Sequence, residues 1–151
     1  MLASFRFCIE ALHEKAAMNA FEVLAYCFMP NHVHLLALGL AETSRLKPFM
    51  QQFNQITGFA FKQGRGTPLW HRSYHDRVLR REENIESVAG YIWGNPVRAR
   101  LVESAENYSY SGPTDRLTGE AGRLRDEAAL GGQTLRSLRT VGDASTEHGS
   151  F

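Results

Sequence analysis

The run from Phe21 to Phe28 (FEVLAYCF), then Met29-Pro30-Asn31, then a second apolar run from His32 to Leu38, constrains the fold more than any other feature of the chain. Aromatic and β-preferring residues fill the first run, and Pro-Asn supplies turn chemistry between the two. The pattern predicts two antiparallel strands joined by a tight turn. Side chains alternate along a strand, so His32 and His34 leave one face of the second strand while Val33, Leu35 and Ala37 leave the other.

Helical spacing surrounds this hairpin. Phe5, Cys8, Ile9, Leu12 and Ala16 form one apolar stripe, with Ser4 as a candidate N-cap. After the hairpin, Thr43 or Ser44 can cap a second helix that buries Phe49, Phe53, Ile56 and Ala60, with Pro48 tolerated in its first turn. Gly64-Arg65-Gly66-Thr67-Pro68 breaks that helix. Leu69 to Leu79 (LWHRSYHDRVL) reads as a strand or extended arm, and Glu82 to Trp93 returns to helical spacing through Ile85, Val88, Ala89 and Ile92. Asn95-Pro96 ends or kinks this last helix.

Beyond about Pro113, Gly, Ser, Thr, Arg and acidic residues dominate, and the leucines keep only a weak period. The expected organisation is therefore one folded domain over 4–112 and a polar, disordered tail over 113–151. A chain of 151 residues, 43% of them hydrophobic, can build one real core, so one site is sought. Its formal charge is +1, from 17 basic and 16 acidic residues, which rules out a global polycation and makes any basic surface local. Cys8 and Cys27 match no zinc spacing and are too few for a disulfide framework, and no apolar run is long enough for a membrane span. A cytoplasmic protein without membrane attachment is expected.

Two imidazoles leaving one strand face converge on a point, although a hydrogen-bonded histidine pair at a strand start has the same spacing. The other half of a site lies on the last helix, where Tyr91 and Asn95 are four residues apart and share a face. Asn95 offers a neutral oxygen ligand and Tyr91 a nucleophile. Two histidines and an amide oxygen fill part of a divalent ion's shell and leave positions for phosphate oxygens. By residue type alone, Tyr91 reads equally well as a core aromatic and Asn95 as a helix C-cap.

The blocks MPNHVHLL, LWHRSYHDRVLR and YIWGNPVRARLV resemble, in order and spacing, the three signature blocks of the single-tyrosine HUH transposases, most of all the REP-associated tyrosine transposase branch. The resemblance covers roughly residues 5–112. It implies that His32, His34 and Asn95 hold Mg2+ or Mn2+ and that Tyr91 attacks a phosphodiester of single-stranded, hairpin-forming DNA, cutting and rejoining it through a phosphotyrosine link. Imidazole suits manganese better than magnesium. Tyr74, between His71 and His75, is the rival nucleophile. Lys62, Arg65, Arg72, Arg77, Arg80, Arg81, Arg98 and Arg100 form a local basic excess for DNA contact, and Trp70 and Trp93 are candidates either for base stacking or for the core.

The resemblance also implies an α+β fold, a small antiparallel sheet flanked by helices in a ferredoxin-like βαββαβ arrangement. Here the first helix begins almost at Met1, so the strand that normally precedes it is missing and an unpaired sheet position is expected. A start site assigned too far downstream, a decayed gene, or a homodimer that fills the gap from a partner would each account for this. Two other functions stay open: a catalytically silent DNA-binding module derived from a transposase, and a hydrolase that uses a histidine-bound metal to activate water.

Overall fold

The computed structural model describes residues 5–30, 32–65, 70–78, 84–113 and 135–142, with the backbone alone over 61–65, 70–78 and 135–142. In chain order these form α1 (Phe5–Met18), β1 (Phe21–Met29), β2 (His32–Gly39), α2 (Leu46–Arg65), β3 (Trp70–Val78), α3 (Ile85–Trp93), α4 (Asn95–Arg98), a 3-10 turn (Ala105–Asn107), β4 (Ser111–Gly112) and β5 (Leu135–Gly142). The fold is α+β, one antiparallel sheet with helices packed on it.

The expected hairpin forms. β1 pairs antiparallel with β2 from Phe21↔Gly39 to Met29↔His32, and the register shifts between Val23 and Ala25. This irregularity has a packing consequence, because Leu24 and Ala25 both belong to the same side of the sheet. One face packs Val23, Tyr26, Phe28, Val33, Leu35 and Ala37 against α1 and α2, through Cys8, Leu12, Ala16, Phe49, Met50 and Phe53. The other packs Leu24, Ala25, Cys27, Met29, Leu36 and Leu38 against Ile85, Ala89, Ile92 and Trp93 of α3. Both faces are therefore covered, which explains why β1 is apolar almost throughout instead of alternating.

The helices bury the expected faces with some differences: Ala11 joins the buried side of α1, Met50 and Thr57 join Phe49 and Phe53 in α2 where Ile56 and Ala60 are partly buried, and Val88 of α3 is partly buried. At the entry to α2, however, Ser44 is not an N-cap. Its hydroxyl donates to the Ala20 carbonyl at 2.7 Å and accepts from the Ala41 amide at 3.1 Å, fastening the loop to the end of α1, while α2 starts at Leu46. α3 starts later than its apolar period suggests, because the Asn84 side chain accepts from the amides of Glu86 and Ser87 and caps the helix there.

The largest correction concerns residues 135–142, expected in a disordered tail. They form β5, which pairs antiparallel with β2 from His32↔Val141 to Leu38↔Leu135 and antiparallel with β3 from Trp70↔Gly142 to Val78↔Arg136. The sheet order is β3-β5-β2-β1-β4. β2 and β3 are consequently parallel, joined by α2, and leave a slot one strand wide that β5 occupies, the split β-α-β arrangement. The unpaired position expected beside a neighbouring strand is thus filled from within the chain. Leu135 to Gly142 carries two arginines, a serine and a threonine, so its own pattern does not announce a central strand. Residues 114–134 and 143–151 of the expected tail lie outside the described residues.

Two outcomes follow from this architecture. A chain ended at residue 134 should lose hydrogen-exchange protection at the β2 amides that face β5 while those facing β1 stay protected, and equal protection in both chains would show that β5 is not the partner. The Cys8 thiol is fully buried in the core, and burial pushes its pKa from 9.0 up to about 12. With the folded value raised, the core's preference for the neutral thiol is fully present below about pH 9 and is lost as pH rises toward 12. Iodoacetamide at about pH 8 should leave Cys8 unmodified in the folded protein and alkylate it in denaturant, as read by mass spectrometry.

Candidate DNA-cleavage site

The hairpin register decides where the histidines go. His32 pairs with Met29 and His34 with Cys27, and both partners belong to the α3 side of the sheet. Val33 and Leu35 belong to the α1/α2 side and are buried, whereas His32 and His34 are half-buried. Their rings meet edge to face with centroids 4.9 Å apart, so the two imidazoles converge as strand alternation requires. His75 falls on the same register row as His34, separated by Arg139 of β5, and Tyr74 sits one position earlier on β3, opposite Thr140.

α3 brings Tyr91 to that side of the sheet. Ile85, Ala89, Ile92 and Trp93 form its buried stripe, which leaves Tyr91 off the stripe and 51% exposed. A core role for Tyr91 is thereby excluded. The end of the helix is anchored at the level of His34: β4 pairs with β1 at Tyr26↔Gly112 and Cys27↔Ser111, and the Trp93 indole donates to the Gly112 carbonyl at 2.8 Å. Gly112 is required there, since a Cβ would lie 2.6 Å from the Tyr26 hydroxyl oxygen. Trp93 is thus a buried anchor rather than an exposed base-stacking surface. The Tyr108 hydroxyl donates to the Phe28 carbonyl beside it, and burial pushes its pKa up, with Cys27 and Tyr110 adding to the shift.

Tyr91 and Asn95 do not share one uninterrupted helix. α3 stops at Trp93, Gly94 forms the junction, and Asn95 opens α4, where Pro96 has no amide to offer the preceding turn. What joins the two residues is Arg98. Its guanidinium carbon lies 3.8 Å from the Tyr91 ring centroid, and Nη2 donates both to the Tyr91 carbonyl and, at 2.9 Å, to Asn95 Oδ1. Asn95 Nδ2 is buried with no hydrogen-bond partner among the described residues.

The donor set His32, His34 and Asn95 suits a divalent ion: two neutral nitrogens and one amide oxygen, with no fixed negative charge competing with phosphate. Among the described residues no group of three or more His, Cys, Asp or Glu gathers at a point. Of the basic cluster, Arg98 and Arg100 are exposed on and just after α4. Lys62 and Arg65 lie on the last turns of α2, and Arg72 and Arg77 on β3 with His71, Trp70 and Tyr74, where only the backbone is described. Arg80 and Arg81 lie outside the described residues. No helix among the described residues is long and apolar enough to cross a membrane.

Arg100 has φ 59°, in the left-handed region, directly after the C-cap Ala99 of α4. The Leu101 amide reaches back to the Pro96 carbonyl at 2.9 Å to close that cap, a geometry that favours glycine. Arg100→Gly should therefore raise unfolding stability by about 1 kcal/mol in urea titration. If Arg100 also contacts phosphate, the same variant should bind single-stranded DNA more weakly with a shallower salt dependence, the trade expected of strain kept at a functional position.

The family model described as "Transposase IS200 like" matches residues 6–95, which contain all of α1 but its first residue, the histidine pair, β3, Tyr91 and Asn95. A Haemophilus influenzae protein described as "Putative REP-associated tyrosine transposase" is 27% identical over 106 residues, which cover 60% of this chain and 58% of that protein. The chain therefore spans under two thirds of that relative's length. No solved structure matches. With the model match covering more than half of its length, and a folded core that carries both halves of the candidate site, this chain belongs to the IS200-like transposase family.

Proposed function

We propose that this chain cuts and rejoins single-stranded DNA in transposition, with Tyr91 as nucleophile and His32, His34 and Asn95 as holders of Mg2+ or Mn2+. The observation that carries the reading is the pairing of two convergent imidazoles with an exposed tyrosine on the helix that covers their side of the sheet. When bound, the divalent ion supplies positive charge to the oxygens of the scissile phosphate. Tyr91 contributes its phenol oxygen, which forms a bond to phosphorus as the bond to the leaving 3′ oxygen breaks. The phenol proton is lost in this step and the departing oxygen leaves as a 3′ hydroxyl. The phosphotyrosine conserves the energy of the broken bond, so a different 3′ end can later attack it and restore the tyrosine.

The remaining chain positions this chemistry. Trp93, held by Gly112, keeps the end of α3 at the level of His34. Arg98 and Arg100 offer positive charge to the DNA backbone where the chain must meet phosphate. Hairpin-forming single strands are the proposed substrate class, on the strength of the resemblance to the REP-associated branch. A homodimer is not needed to fill the expected open strand position, because β5 occupies it.

Incubation with Mn2+ and a labelled hairpin oligonucleotide, followed by denaturing electrophoresis, should give a covalent protein–DNA band. Tyr91→Phe should abolish it, and His32→Ala or His34→Ala should reduce it by about 100-fold or more. A band that survives Tyr91→Phe and disappears in Tyr74→Phe would move the nucleophile to β3. Tight DNA binding without any covalent band would leave a DNA-binding module.

A further inference from the structure

Arg98 engages the one atom with which Asn95 can hold a cation: the amide oxygen keeps a second lone pair, but the guanidinium bonded to the first sets a positive charge against a metal ion on the other. An amide has a single oxygen, and Asn95 Oδ1 accepts from Arg98 Nη2 at 2.9 Å. The same guanidinium nitrogen is bonded to the Tyr91 carbonyl, and the guanidinium lies over the Tyr91 ring. One exposed side chain therefore touches both the proposed nucleophile and the proposed amide ligand.

Two further features indicate that this contact is specifically accommodated. Gly94 makes room for it: a Cβ there would lie 2.8 Å from Arg98 Nη1 and 3.2 Å from the Gly90 carbonyl oxygen. Asn95 also accepts a cost, because its Nδ2 is buried without a partner among the described residues while Oδ1 faces Arg98. A buried amide donor left unsatisfied destabilises the arrangement.

On the reading that His32, His34 and Asn95 form the metal site, we propose that Arg98 is a latch: in the DNA-free protein it withholds Asn95 Oδ1 from the metal, and it releases that oxygen when a DNA phosphate draws the guanidinium away. Arg98 is suited to this exchange because a guanidinium binds an amide oxygen through single N–H bonds but a phosphate through two parallel, charge-assisted ones. Metal binding and DNA binding are thereby coupled through one side chain. Arg98 is a positioning residue here, acting through Asn95.

Equilibrium Mn2+ binding without DNA, followed by the electron paramagnetic resonance of the free ion, tests this on the full chain and four variants: Arg98→Ala, Asn95→Ala, the double variant and His32→Ala. The latch requires Arg98→Ala to bind Mn2+ about fivefold more tightly than the unsubstituted protein, with a change below about twofold when Asn95 is already alanine. An equal gain in both backgrounds would mean that only a positive charge near the metal had been removed, overturning the latch while the metal site stands. No gain in either background overturns it as well. Mn2+ binding indifferent to His32→Ala would remove the metal site itself and the latch with it.

Discussion

The antiparallel register between β1 and β2 is the constraint on which the rest of this molecule depends. Strand side chains alternate with a period of two, so a slip of one residue would carry His32 and His34 to the face filled by α1 and α2 and drive Val33 and Leu35 toward α3. The register is secured by the apolar residues themselves. Leu35 and Ala37 need the aromatic core of Phe28, Phe49 and Phe53, and Leu36 and Leu38 need Ile85, Ala89 and Ile92. The histidines sit where this two-sided core ends, half-buried at the start of β2. Their convergence is a by-product of core packing, which gives the histidine pair a rigidity that a loop would not provide.

The second half of the site depends on how α3 is seated. Its apolar stripe sets its rotation, and the Trp93 indole bond to Gly112 sets its position along the sheet. β4 is only two residues long, yet through it β1, α3 and the Tyr108 segment are fastened at one level. Tyr91 remains exposed because the stripe is complete without it. Immediately afterwards the helix breaks at Gly94, and the short α4 returns Arg98 over Tyr91 and onto Asn95. The junction is locally expensive, with an amide donor at Asn95 that has no partner among the described residues and a left-handed backbone at Arg100, and such costs concentrate at functional positions.

β5 changes the account of the sheet. Judged on its local chemistry, a resemblance that begins at a helix suggests an open strand position. The split β-α-β unit formed by β2, α2 and β3 has such a slot, and any strand of suitable direction and length can fill it with main-chain hydrogen bonds whatever its side chains. Leu135–Gly142 does so with a polar sequence. β2, the strand carrying the histidines, is therefore paired on both sides, and the sheet edges are β3 and the short β4.

The sequence by itself determined the hairpin, the amphipathic stripes of α1, α2 and α3, and the alternation that sends His32 and His34 out together, because these follow from local periodicity and turn chemistry. It also determined the candidate nucleophile and ligands, since three blocks in order carry them. Only the tertiary structure decided that residues 135–142 are a central strand, that Ser44 ties a loop to Ala20 instead of capping α2, that Trp93 is an anchor, and that Arg98 rather than continuous helix joins Tyr91 to Asn95. Each of these rests on a partner distant in sequence or on the break at Gly94. Local patterns record the preferences of neighbouring residues, whereas a strand slot, a buried carbonyl or a guanidinium folded back over a ring exists only after the chain has packed.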